Sequence, residues 1–181
     1  DLATDQTRRI SRTSTGGTAR AIHSDVVFTP DGSAVLFVTG EPLVPSDVDD
    51  AQDLYLQDIS TGAVRAVSTS ASGATMPHGE YMWASLSSDG NLVAFGTDTP
   101  GLVPGDDDRN TRDVFVKNLG TGEITSLTAG PVLTWSDGLN GLGRPVFSPD
   151  GRCLAFDSHS SKLVTSDRSS HSKVFVQRIA G

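Results

Sequence analysis

"SPDGRCLAFDS", residues 148–158, joins a tight-turn signal to a short apolar run. Two imperfect copies lie upstream, "TPDGSAVLFVT" at 29–39 and "SSDGNLVAFGT" at 87–97. In each copy an Asp able to bond its own backbone precedes a Gly that can take positive φ, which is a hairpin signature. "SDVVFT" (24–29), "MWASLS" (82–87) and "GRPVFS" (143–148) run into these turns, and "AVLFVT", "LVAFGT" and "CLAFDS" leave them. Each copy therefore reads as two short strands closed by a tight turn.

The repetition extends further. Asp31, Asp89 and Asp150 of the turns are 58 and 61 residues apart. "DLYLQDISTG" at 53–62 returns as "DVFVKNLGTG" at 113–122 and as "KVFVQRIAG" at 173–181, with Leu54, Val114 and Val174 spaced by 60 each time. These segments alternate apolar and polar residues and predict a third strand. A second Gly turn then leads to a fourth, "AVRAVS" (63–68) or "EITSLT" (123–128). No stretch sustains a 3.6-residue period, so no helix is expected. A period near 60 with four short antiparallel strands per unit is the layout of a β-propeller blade.

The fold expected is all-β, a single partial propeller domain over 1–181 with three blades at about 24–68, 82–128 and 143–181. The third unit stops before its fourth strand. The chain opens with "DLATDQTRRIS", which matches "DISTGAVRAVS" and "NLGTGEITSLT", so a strand at 6–11 is the piece that completes a last blade. Propellers have roughly four to eight blades, and three are too few to close a ring. The chain is expected either to be a segment of a longer propeller or to form a homodimer, two copies making a six-bladed ring. An uncovered blade face and a free strand edge are costly.

Composition narrows the partners. Of the 181 residues, 36% are hydrophobic and 20% charged, enough for a packed core. A net charge of −8 argues against nucleic acid, whose phosphates call for clustered Lys and Arg. No apolar run approaches the roughly 18 residues of a membrane span, so membrane insertion is not expected. The single Cys153 forms no intrachain disulfide and, within "CLAF", is expected as a small buried core residue. The chain begins at Asp1 rather than Met, so a processed or excised N-terminus is expected; the location expected is secreted or periplasmic.

The blocks "FTPDGSAVLFVT" and "FSPDGRCLAFDS", each followed by "DLYLQDISTG" or "VFVQRIAG", resemble the TolB-type repeats of WD-like β-propellers. The form with "LVPSD" or "LVPGD" between second and third strands resembles bacterial propeller proteins rich in such inserts. The likeness covers nearly the whole chain and implies a propeller. It leaves function open, because such propellers include translocation partners and peptidase-associated domains. Two positions depart from the pattern: "SSDG" at 87–90 lacks Pro, and Lys173 stands where the other units have Asp53 and Asp113.

Several side chains invite a chemical role. Asp47, Asp49, Asp50 and Asp53 correspond to Asp106, Asp107, Asp108, Asn110 and Asp113 in the next unit, whereas the third offers Asp167, Arg168 and Lys173. Clustered carboxylates suit calcium, but the spacing misses the D-x-[DN]-x-[DN]-G loop. Turn capping is thus the first expectation, with no cofactor implied and calcium the alternative. His23, His78, His159 and His171 are scattered, without a zinc-binding pattern. "G-x-S-x-G" is absent, and "STGG" at 14–17 lacks the Lys and helix of a phosphate loop. No catalytic set and no metal ligand are therefore assigned.

The loops between units vary while the strands repeat. They carry His23, Met76, His78, Tyr81, Trp83, Leu133 and Trp135, on or near the face that bears the acidic loops. Aromatic residues beside charge suit a protein or peptide contact surface. His23, His78, Tyr81, Trp83 and Trp135 are the candidate binding residues; the alternative for each Trp is burial between blades. The function expected is a non-enzymatic scaffold for a protein or peptide. A hydrolase or lyase with its site at the central channel, and a structural half-ring assembling with its own copy, are the alternatives.

Overall fold

A computed structural model describes residues 7, 9–13, 17, 24–70, 81–104, 106, 112–128, 144–158, 163–164 and 171–179. Eleven strands run through them: β1 Ser24–Phe28, β2 Ala34–Thr39, β3 Asp53–Asp58, β4 Val64–Ala66, β5 Tyr81–Leu86, β6 Leu92–Thr97, β7 Asp113–Asn118, β8 Ile124–Ser126, β9 Val146–Phe147, β10 Cys153–Ser158 and β11 Lys173–Arg178. They form three antiparallel sheets, ordered β1-β2-β3-β4, β5-β6-β7-β8 and β9-β10-β11. The described residues include no helix. The fold is an all-β propeller type with three blades, as the repeat predicts.

The turns are built as their sequences require. Gly32, Gly90 and Gly151 take φ of +69°, +72° and +70°. The preceding carboxylates accept backbone N–H groups two residues on, from Ser33, Asn91 and Arg152 at 3.0–3.1 Å. These hydrogen bonds lock the hairpin, and all three carboxyls are held below the ordinary Asp range. Asp89 and Asp150 are held chiefly by the Ser87 and Ser148 hydroxyls and then by the backbone N–H, Asp31 chiefly by the Ser33 N–H and then by the Thr29 hydroxyl. In the second turn the side chains of Asp58 and Asn118 accept the N–H groups of Thr61 and Thr121, three residues on, ahead of Gly62 and Gly122.

Successive side chains of a strand point to opposite faces, and here both faces are used. Leu36 and Val38 pack with Val93, Phe95 and Phe115 of the second sheet, while Val35 and Phe37 pack with Tyr55 and Leu43 on the other side. Ala94, Val114 and Val116 meet Leu154 and Phe156 of the third sheet. The first strands touch in succession, β1 to β5 and β5 to β9, so the sheets fan from a common inner edge. The third sheet shows the consequence of having a neighbour on one side only among the described residues. Along β10 burial alternates, with Leu154, Phe156 and Ser158 buried and Cys153, Ala155 and Asp157 half-buried. Cys153, expected in the core, is half-buried because it lies on the less covered face of β10.

Polar side chains tie one sheet to the next. Lys117 of β7 is 4% exposed, and its Nζ donates to Val67 O at 2.8 Å and to Thr69 O and Oγ1 at 2.5 Å. Burial, helped by the Arg65 charge, draws its pKa down to about 8. Sixty positions earlier, Gln57 accepts the Arg12 N–H at 3.4 Å and donates to Arg12 O at 3.5 Å. Ile10 packs on Val35, Phe37, Leu43 and Tyr55. Residues 10–12 thus lie against the first sheet as 67–69 lie against the second. A cleft recurs at two junctions as well: about 390 Å³ beside Leu127, Gln177 and Ile179, and about 200 Å³ beside Ile10, Gln57 and Ile59.

Some strands are shorter than their sequence pattern. β4 and β8 span three residues each rather than six. After β4 the reason is local: Val67 and Ser68 both direct their N–H groups at Leu54 O, at 2.6 and 3.3 Å, which breaks the ladder. β9 is two residues long, not six. Replacing Lys117 tests the inter-sheet tie. Lys117→Leu leaves buried carbonyls without their donor and should cost about 1–3 kcal/mol in chemical denaturation. Lys117→Gln, which copies Gln57, should recover most of that loss.

Candidate functional site

Strand register brings the connections between second and third strands to one end of the sheets. Thr39 pairs with Asp53, Thr97 with Asp113 and Ser158 with Lys173. Tyr81, the first residue of β5, pairs with Thr97 at that same end. The acidic segments and the start of an inner strand therefore share an edge of the molecule.

The "LVPSD" insert folds back on its own strands. Asp47 donates its N–H to Val44 O at 3.1 Å, closing a turn, and its carboxylate is buried. The Tyr55 hydroxyl donates to Asp47 Oδ2 and accepts the Leu43 N–H at 3.4 Å. Burial and that carboxylate push the Tyr55 pKa up, so the hydroxyl stays protonated. In the second unit Phe115 stands in place of Tyr55. There Asp106 takes the Leu102 N–H directly, at 3.1 Å.

A second carboxylate clamps the sheet. Ser68 Oγ donates to Asp53 Oδ1 at 2.5 Å and accepts the Leu54 N–H at 2.9 Å. Thr128 repeats this with Asp113 at 2.6 Å and Val114 at 2.8 Å. Asp53 is 1% exposed, and its Oδ2 has no hydrogen-bond partner among the described residues. Burial raises its pKa to about 7 against the Ser68 hydrogen bond, and the charges of Asp47 and Asp49 push the same way. Half-buried Asp49 donates its N–H to Asp47 Oδ1 at 3.3 Å and accepts the Ala51 N–H at 2.8 Å. One carboxylate oxygen from each of Asp47, Asp49 and Asp53 lies within 4.8 Å of the others. Asp50, expected with them, is exposed and outside this group. Asp107, Asp108 and Asn110 lie outside the described residues.

Of the candidate binding residues, Trp83 is half-buried and sits where β5 bulges between Met82 and Ala84. Its φ is +47°, a conformation that a bulky side chain rarely adopts. Tyr81 opens β5, while its side chain, like His23, His78, Trp135, Met76 and Leu133, lies outside the described residues. The role of Tyr55 was not anticipated. Its one sequence signal is a hydroxyl where Phe115 and Phe175 stand in the other units.

No family model and no curated protein match the chain. Solved structures do. TolB from Acinetobacter baumannii superposes with a TM-score of 0.56 at 21% identity, over 92% of this chain and 33% of that one. A structure from an analysis of two prolyl endopeptidases gives a TM-score of 0.51 at 12% identity, over 87% of this chain and 20% of the other. The β-propeller domain of the trilobed protease from Pyrococcus furiosus gives 0.43 at 14% identity, over 84% and 42%. This chain spans a third or less of the first two proteins. The fold is TolB-like, at an identity that speaks to fold alone. No helix of the described residues is long and apolar enough to cross a membrane.

Tyr55→Phe checks the first carboxylate's anchoring. The ring keeps its packing against Phe37, at 6.3 Å between centroids. Leu43 N–H and Asp47 lose the hydroxyl between them. Denaturation should register a loss of about 1–3 kcal/mol.

Proposed function

We propose that this chain is part of a closed β-propeller that serves as a non-enzymatic platform for a protein or peptide. The observation that carries the reading is Trp83. A half-buried indole is held at positive φ on a bulge of an inner strand, at the end of the sheet where the acidic connection leaves. Bulges re-aim side chains, and a backbone strain of about 1–3 kcal/mol persists where the surroundings hold it in place. Strain of this kind concentrates at binding sites. Tyr81, His23, His78 and Trp135 belong to the same proposed contact face.

The variants Trp83→Asn and Trp135→Ala test this face. Asn tolerates positive φ, so the first substitution removes the indole and spares the backbone. In capture from culture medium or cell extract, the doubly substituted chain should lose a protein that the original chain retains, while melting at a similar temperature. Undiminished capture by the folded variant overturns the proposal.

Closure of the ring is the second part of the reading. Val174 and Val176 of β11 are 76% and 69% exposed, and Val26 and Phe28 of β1 are 58% and 62% exposed. Phe28 occupies the position of Leu86 and Phe147, both of which pack between sheets. We infer that a strand of the 6–11 type completes the third sheet and that the two open faces meet in a second copy of the chain. Sedimentation should then give a species near twice 18.9 kDa. A folded monomer at micromolar concentration overturns closure by a second copy and leaves closure within a longer chain.

A further inference from the structure

We propose that Asp47, Asp49 and Asp53 bind a calcium ion. Their nearest oxygens lie within 4.8 Å of one another. Calcium takes oxygens at roughly 2.3–2.6 Å, so two ligands on opposite sides of one ion stand up to about 5 Å apart. Magnesium demands roughly 2.0–2.1 Å and a stricter octahedron, which suits a spread of up to 4.8 Å less well.

The second observation is Asp53 itself. Its carboxylate is 1% exposed and belongs to this group, its Oδ1 is held by Ser68 Oγ, and its Oδ2 has no hydrogen-bond partner among the described residues. A buried acceptor left unpaired is costly, and polar groups that deep are normally satisfied. The other two carboxylates are anchored from behind as well, Asp47 by the Tyr55 hydroxyl and Asp49 by the Ala51 N–H. Three oriented carboxylates gathered at this spacing repel one another, and a divalent cation converts that repulsion into attraction.

The third unit supplies a contrast. Lys173 stands at the register of Asp53, in line with Ser158 as Asp53 is with Thr39. Where the buried carboxylate is replaced, the chain carries its own positive charge. The second unit keeps Asp106 and Asp113, both buried, on a related loop.

The test uses the whole chain and an Asp49→Ala variant, both freed of metal with chelator. Asp49 is half-buried and its removal relieves repulsion, so the variant should fold at least as well as the original in chelator. Calcium chloride titrated by calorimetry should give a Kd on the order of 10⁻⁴–10⁻³ M, the range of extracellular modules. About 10 mM calcium should raise the melting temperature of the original chain. In Asp49→Ala the affinity should fall at least tenfold and the thermal shift should shrink accordingly. No heat and no thermal shift in the original chain overturn the proposal. So does an undiminished response in Asp49→Ala, which would assign the ion elsewhere, including the related loop of the second unit. Magnesium acting as strongly as calcium overturns the choice of ion.

Discussion

Each sheet of this propeller depends on being covered on both faces. A strand such as β2 is apolar at every one of its six positions but the last, and all six are buried. That is possible only when one set of alternating side chains packs on the sheet that follows and the other on whatever precedes. Burying both faces contributes the apolar area that a 60-residue unit with one face in water would lack. It also makes every sheet conditional on its neighbours, which is the logic of repeat architectures. The exposed valines of β11 and the exposed Phe28 of β1 mark where this condition is unmet within the chain.

Within that frame the conserved geometry of the units and their chemical differences separate cleanly. The hairpin turns and the hydrophobic strands recur in all three units, and the Asp–Ser or Asp–Thr clamp in the first two. What varies lies at one end: Tyr55 against Phe115, Asp53 against Lys173, and the strained Trp83. Function on a repeated scaffold resides in such departures, because the scaffold positions alike every residue that it repeats.

The sequence made the strands and turns legible because their determinants are local. Asp-Gly fixes a turn within four residues, and alternation over six fixes a strand. The spacing of Asp31, Asp89 and Asp150 then revealed the repeat without any long-range information. The site was legible only in outline. Asp47, Asp49 and Asp53 were visible as a cluster, but which of them converge depends on the Leu43–Asp47 turn folding back onto Tyr55, a contact across the connection. Asp50 has the same side chain and neighbouring position and points elsewhere. Likewise, nothing in "EYMWASL" distinguishes Trp83 as the residue at positive φ; the bulge that imposes it belongs to the pairing with β6.

The ties made by Lys117 and Gln57 bear on where this protein can be divided. Lys117 joins the third strand of the second sheet to the stretch just after the fourth strand of the first, and Gln57 joins the third strand of the first sheet to Arg12. A cut made neatly between two blades would sever those ties and strip an apolar face at once. A cut between the third and fourth strands of one blade keeps every outer strand with the neighbour that it serves. The module that can be gained, lost or exchanged as a self-consistent piece is therefore out of phase with the blade that the eye picks out.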